Sequence, residues 1–518
     1  KLGANTIWYT GIIRHATCTD YSAFGIPRQT PRIVKGKAGS PYAITDYYDV
    51  DPDIADNVTK RMNEFEDLVK RTHNEGLKVI IDFVPNHVAR EYKSICKPNG
   101  VKDLGETDDK NKHFDANNNF YYCPNEPLDT SAIPRSINNE ATKPDHKSAE
   151  YTETVARCTG NDRFDAHPQA NDWYETIKLN YGIDYCDWGG RSYHFNPIPD
   201  TWHKMTDILL FWAAKGIDGF RCDMAEMVPH EFWKYATEKV KAQYPHIVFI
   251  GEVYDPNQYR TYIAAGFDYL YDKVGMYDCL RDVMCEHRSA NDITRQWQAT
   301  DDISKHVLYF LENHDEQRIA SNFFCGNMQK GIPALIVAAL FQCNPIMIYA
   351  GQEFGEKGMD GEGFSGIDGR STIFDYWSID AIRKGFFERS KLSAEQVQLE
   401  KEYRKILTLC NSEKAISNGK TFDLMYANET NDAFDSNKQF AFLRSSNNTT
   451  LLIVANFSKT EAHIRVNIPA HAFDYMEIKE GKKNMVDLLS GNHQSVVLQK
   501  DSSIEIVVPA LNGRVYKF

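Results

Sequence analysis

The chain has 518 residues, of which 42% are hydrophobic, 25% charged and 12% aromatic, and it carries a formal net charge of -13. A length of this order accommodates about three domains and a large buried core. So much negative charge would repel phosphate backbones and anionic lipid, which argues against nucleic acid, and no apolar run reaches the length of a transmembrane helix.

The sequence starts at Lys1, so any signal peptide or lipid attachment lies outside what can be read, and cytoplasmic and periplasmic or secreted locations both stay open. Eleven cysteines, an odd number, exclude a complete disulfide framework. Cys222 and Cys343 lie in or beside apolar segments, where a thiol is a small hydrophobe. Cys96, Cys123, Cys158 and Cys186 share one long polar stretch, where one or two bridges stay open. The lack of a C-x-x-C spacing argues against a zinc site.

In chain order, a first strand is predicted near 4–9, followed by a Gly- and Pro-containing loop over 10–52 that is too long for a plain connection. Helical spacing of Val58, Met62, Phe65, Leu68 and Val69 predicts a helix over 56–75, stopped by Gly76. The apolar run at 78–84 then leads into Pro85-Asn86-His87. Residues 88–199 lack this strand rhythm and read as a separate inserted domain, whose Asp/Asn-rich part at 108–119 reads as a solvated loop because it lacks the spacing of a calcium loop. Trp202, Met205, Ile208, Leu209 and Trp212 predict a helix over 201–215 that feeds a strand over 217–223. Further strands are predicted at 247–253, 267–271, 307–312 and 345–350. A Gly- and acid-rich segment follows at 352–377, then a helix over 394–409. Past about residue 413 the period changes to short runs at 439–443, 450–456, 463–468, 495–498 and 504–508, which predict an antiparallel β-sandwich.

Several apolar runs end in acids or histidine. Near-continuous apolar strands are parallel strands covered by helices, and polar residues at their carboxyl ends mark a barrel active site. Arg221 and Asp223, two positions apart, leave the strand on one side. Alone such a pair would read as a salt bridge; its repetition at other strand ends reads as a site.

Asp82-Phe83-Val84-Pro85-Asn86-His87, Gly219-Phe220-Arg221-Cys222-Asp223, Gly251-Glu252-Val253-Tyr254 and Glu312-Asn313-His314-Asp315, in that order, resemble the four short motifs of the α-amylase family of retaining glycoside hydrolases. Tyr42-Ala43-Ile44-Thr45-Asp46 and Ile177-Lys178-Leu179-Asn180 fit the same family. The resemblance covers roughly residues 1–410, with a family-type C-terminal domain expected beyond. It implies an α/β fold: a (β/α)8 TIM barrel over 1–87 and 200–412, an inserted small domain over 88–199 after the third strand, and a C-terminal β-sandwich over 413–518. Seven barrel strands are counted, the first of them matching the family's second, so the first barrel strand is expected upstream of Lys1.

The resemblance further implies Asp223 as nucleophile, Glu252 as acid/base and Asp315 as the carboxylate that holds the distorted sugar. Tyr42 would stack on that sugar, with His87, His314 and Arg221 in substrate contact. Arg221 should keep Asp223 ionised at neutral pH, while the apolar run before Glu252 should raise its pKa. Asn86 would be a calcium ligand. However, the Lys-His pair that many relatives carry after the nucleophile is replaced by Glu226-Met227, so no cofactor is required and calcium stays an open expectation. The expected reaction is hydrolysis of α-glucosidic bonds in an α-glucan or maltooligosaccharide. A transglycosylase, a 1,6-acting glucosidase and a non-catalytic glycan-binding relative are the alternatives, and oligomeric state is not readable.

Overall fold

The computed structural model describes residues 2–133, 150–358, 367–376, 378–447 and 449–518. Positions 359–366 and 377 of the acid-rich segment expected at 352–377 fall outside these residues.

The seven predicted strands form one parallel sheet: β1 (Thr6–Tyr9), β2 (Lys78–Phe83), β3 (Gly219–Cys222), β4 (Val248–Gly251), β5 (Tyr269–Tyr271), β6 (Val307–Phe310) and β7 (Ile346–Met347), hydrogen-bonded in that order. Among the described residues no eighth strand joins β7 to β1. Helices α1 (Arg61–Asn74), α2 (Asp200–Ala213) and α3 (His230–Gln243) pack on the outer face. The predicted face of α2, including Trp202, Met205, Ile208, Leu209 and Trp212, is buried, and the Trp212 indole donates to the Tyr47 carbonyl at 2.7 Å. Asp218, in the turn before β3, accepts the Val79 amide of β2 at 2.8 Å and so helps fix the register between the two strands.

That register places Arg221 opposite both Asp82 on β2 and Ile250 on β4. The pairing continues one residue beyond the strands, with the Asp223 amide donating to the Phe83 carbonyl at 2.9 Å and the Glu252 amide to the Cys222 carbonyl at 3.1 Å. Consecutive strand ends thus deliver an acid each to one rim.

The loop expected at 10–52 contains an antiparallel pair, Ile13–His15 with Ile44–Val50, and the second strand is buried throughout. Its acids hid it from a hydrophobicity pattern. Asp46 and Asp49 are buried because Arg14 pairs with them at 3.0 and 3.1 Å. Among the described residues of the inserted region are three two-stranded ladders, including Tyr122–Cys123 with Ala156–Arg157 and His87–Ala89 with Thr176–Lys178. The stretch expected to be a solvated loop is organised by Asp108, which accepts the amides of Asn119 and Phe120 and the Tyr122 hydroxyl at 2.8 to 3.0 Å.

The C-terminal part is all antiparallel, a six-stranded sheet and a two-stranded ladder of Ala462–Ile468 with Ser502–Val508. Strands at Lys420–Asp423, Gly481–Asp487 and Asn512–Lys517 join the five predicted ones. Buried Arg444 ties this sheet to the helix Gly331–Leu340, donating to the carbonyls of Phe341, Ala415 and Ile416. All eleven cysteines are unbridged.

At Gly219 the backbones of β3 and β4 leave no room for a side chain, for a Cβ there would lie 2.6 Å from the Val248 carbonyl oxygen. Gly219→Ala should therefore push the two acid-bearing strands apart, costing about 1–3 kcal/mol. Thermal unfolding of the variant checks this, and an unchanged midpoint would contradict the close approach.

Candidate active site

Three carboxylates and one cation meet where β2, β3 and β4 end. The Arg221 guanidinium donates from Nη1 to Asp223 Oδ1 at 2.7 Å and lies 3.4 Å from Asp82 Oδ1. Its Nη2 approaches Glu252 Oε2 at 2.8 Å, a charge contact off the N–H line. One planar fork therefore contacts Asp223 and Glu252 through its two terminal nitrogens. The rings of Trp8, Tyr42 and Tyr271 surround Arg221, with centroids 5.3, 5.4 and 5.6 Å from its Cζ. Such contacts suit a desolvated cation.

Glu252 has further partners. The Met224 amide donates to Oε2 at 2.9 Å and the Tyr254 hydroxyl to Oε1 at 2.5 Å. Met224 reaches it from a left-handed conformation, φ 43° and ψ 42°, which is strained for a residue with a side chain. Glu226, in place of the family lysine, accepts the amides of Tyr254 and Asp255 at 2.9 and 3.0 Å and so fixes the loop after Glu252.

Arg221 is 1% exposed, Glu252 3% and Asp223 6%, so the ionisation of the cluster is set by desolvation as well as pairing. Burial pushes Asp223 up to about 8, with Arg221 opposing and Glu252 reinforcing the rise. Burial raises Asp82 as well, against the pull of Arg221. This corrects the expectation that Arg221 keeps Asp223 ionised. A single guanidinium shared by three buried carboxylates cannot neutralise them all, so the cluster retains a proton.

Asp315 stands apart, with its side chain 45% exposed and His314 Nε2 3.1 Å from Oδ2. Desolvation by the surrounding site would raise its pKa, but His314 overrides this and holds Asp315 at about 2. His314 also meets the Tyr42 hydroxyl at 2.8 Å and stacks on that ring. Tyr42, His314 and Asp315 therefore form a line running outward from Arg221. His87 is buried beside Trp173, with Asn86 against its Nδ1 and a hydrogen bond to the Tyr42 backbone, and desolvation together with Lys178 lowers its pKa to about 3. It is a neutral ring. Asp82, Trp8, Met224, Tyr254 and Tyr271 had no assigned role in the sequence reading. Asp82 heads the first motif, but its pairing with Arg221 follows only from the strand register, and Met224 is visible only as a backbone conformation. Glu312, equally at a strand end, is structural, accepting Arg318 at 2.9 Å and the Ile319 amide at 2.8 Å.

The expected calcium position holds a lysine. Asn86 Oδ1 accepts from Lys178 Nζ, which also lies 2.6 Å from Asp162 Oδ1 and donates to the Met227 carbonyl at 3.3 Å. Calcium needs six to eight oxygen ligands. Here a buried ammonium takes three converging oxygens, a donor set that does not fit the ion while Lys178 is present. Lys178→Asp should turn the set into a cation site. At calcium about a hundred times Kd the variant should gain about 2–3 kcal/mol, seen as a raised Tm, and the wild type nothing. A calcium-dependent rise in the wild type would contradict this.

The family model described as alpha amylase, catalytic domain, matches residues 1–160 and 196–461, and that of the alpha amylase C-terminal all-beta domain matches 431–518. The chain is 23% identical over 486 residues to alpha-amylase 3 of Dictyoglomus thermophilum, covering 88% of this chain and 82% of that one. It is 22% identical over 489 residues to a cyclomaltodextrinase of Geobacillus thermopakistaniensis, covering 93% and 66%. The crystal structure of the maltogenic alpha-amylase AmyB from Thermotoga neapolitana superposes with a TM-score of 0.62 at 19% identity, over 100% of this chain and 91% of that one. With the parallel sheet, the C-terminal antiparallel strands and both family models in agreement, the chain belongs to the alpha-amylase family.

Proposed function

We propose that the chain is a retaining glycoside hydrolase that cleaves α-glucosidic bonds in α-glucans or maltooligosaccharides through a covalent glycosyl-enzyme. The observation that carries this reading is the Arg221 fork, which presents Asp223 and Glu252 side by side on adjacent strand ends. Retention needs two carboxyl groups about 5 to 5.5 Å apart, one nucleophile and one acid that becomes a base. Asp223 attacks the anomeric carbon while Glu252 gives its proton to the departing oxygen. Glu252 then takes a proton from water, which breaks the ester to Asp223 and restores both groups. Asp315, exposed at the rim and ionised through His314, receives the sugar hydroxyls. Tyr42 and His314 give the sugar an aromatic wall.

No role here requires calcium, since Lys178 supplies the positive charge beside Asn86. No helix among the described residues is long and apolar enough to cross a membrane.

The two carboxylates should fail differently. Glu252→Ala should lose at least about 10²–10⁴-fold on maltooligosaccharides, the contribution of a positioned proton donor. On α-maltosyl fluoride, whose leaving group needs no acid, azide should restore its turnover and give the α-azide by inversion of a β-linked intermediate. Asp223→Ala with the same donor should give only the β-azide. Absence of rescue in Glu252→Ala, or α-azide from Asp223→Ala, would mean that the roles are assigned wrongly.

A further inference from the structure

The inserted region has a small core of its own, built around Tyr121, Cys123, Leu128, Ala156, Cys158 and Ala166. Two of these are thiols, Cys123 on one strand of a ladder and Cys158 one residue past the other, and at its edge stands His113. A ring nitrogen of His113 and the sulfurs of Cys123 and Cys158 all lie within 4.8 Å of one another. We propose that His113, Cys123 and Cys158 form a binding site for a thiophilic divalent cation of the zinc class, which pins the two strands of the inserted region together. The sequence shows no such site because its ligands are brought together by strand pairing, with 35 residues separating the two cysteines.

The geometry favours a metal over the simpler readings. Tetrahedral zinc with bonds of about 2.3 Å to each thiolate sets two sulfurs about 3.8 Å apart. The two sulfurs are 4.0 Å apart. A disulfide would require them to close to about 2.05 Å. The histidine has the support that a ligand normally has, its Nδ1 held on the Tyr122 carbonyl at 2.7 Å, which orders the ring and selects its tautomer.

Another close sulfur pair gives the contrast. Cys285 and Cys325 lie 3.7 Å apart, yet no third ligand joins them within the same span among the described residues. The acidic group Asp46, Asp49 and Cys96 is likewise no rival, because Arg14 and Arg61 already neutralise its carboxylates. Binding would balance as one divalent cation taken up and the protons of Cys123 and Cys158 released, with the neutral imidazole completing three ligands.

The full chain, prepared with reduced thiols, dialysed against zinc and freed of loosely held metal, should retain about one zinc per chain. Replacing zinc with cobalt(II) should give the visible bands of a tetrahedral centre and a thiolate-to-metal charge-transfer band. Retention should fall by at least about 10-fold in Cys158→Ser and in His113→Ala. Cys285→Ser should retain metal as the wild type does. If a variant fails to fold, the wild-type cobalt spectrum decides by itself. Wild-type protein that keeps no metal with its thiols free, octahedral cobalt bands, or a Cys123–Cys158 disulfide in the purified chain would each overturn the proposal.

Discussion

The site rests on one buried guanidinium. Arg221 is the cation that Asp82, Asp223 and Glu252 share, and its own burial is tolerable only because those acids and three aromatic rings enclose it. Removing Arg221 would leave three buried acids without solvent or counter-charge. The β2–β3–β4 register is therefore under an electrostatic constraint as well as a packing one. A one-residue slip of β3 would turn Arg221 and Asp223 to the outer face of the sheet, where helices and apolar side chains wait.

A second buried cation couples the inserted region to the sheet. Lys178 gathers oxygens from three places: Asn86 after β2, Met227 after β3, and Asp162 in the insertion. An ammonium does here what a metal ion would do in a site of oxygen donors, holding separate segments by one central charge. It does so with a fixed number of donors and at the cost of desolvation, which lowers the Lys178 pKa although Asp162 opposes this. The two cations serve different ends. Arg221 sets the ionisation of the cleft, whereas Lys178 anchors the wall beside it.

What the sequence made legible follows from where the signal lies. Parallel strands buried on both faces are continuous apolar runs, so all seven were readable, as was α2 from the spacing of its tryptophans. Asp223, Glu252 and Arg221 were readable because a short motif keeps them beside their strands. The strand Ile44–Val50 was not, since Asp46 and Asp49 break its apolar pattern and are neutralised by arginines distant in sequence. The place of Asp82 depends on inter-strand register, and that of Lys178 on a fold-back of the insertion. The apparent competence of Arg221 to ionise Asp223 was a two-body inference. The structure supplies two further acids and removes the water.

Infrared difference spectroscopy of the wild type against Asp223→Asn addresses the shared charge directly. Because burial raises Asp223 to about 8, its carboxyl should be protonated below that value and lose its proton as pH rises through it. The difference spectrum should accordingly show the carbonyl stretch of a protonated carboxyl at pH 6, and the band should vanish between about pH 7 and 9. Its absence at pH 6, with only carboxylate bands present, would show that Arg221 alone suffices to ionise Asp223 and would contradict the account of a single cation divided among three acids.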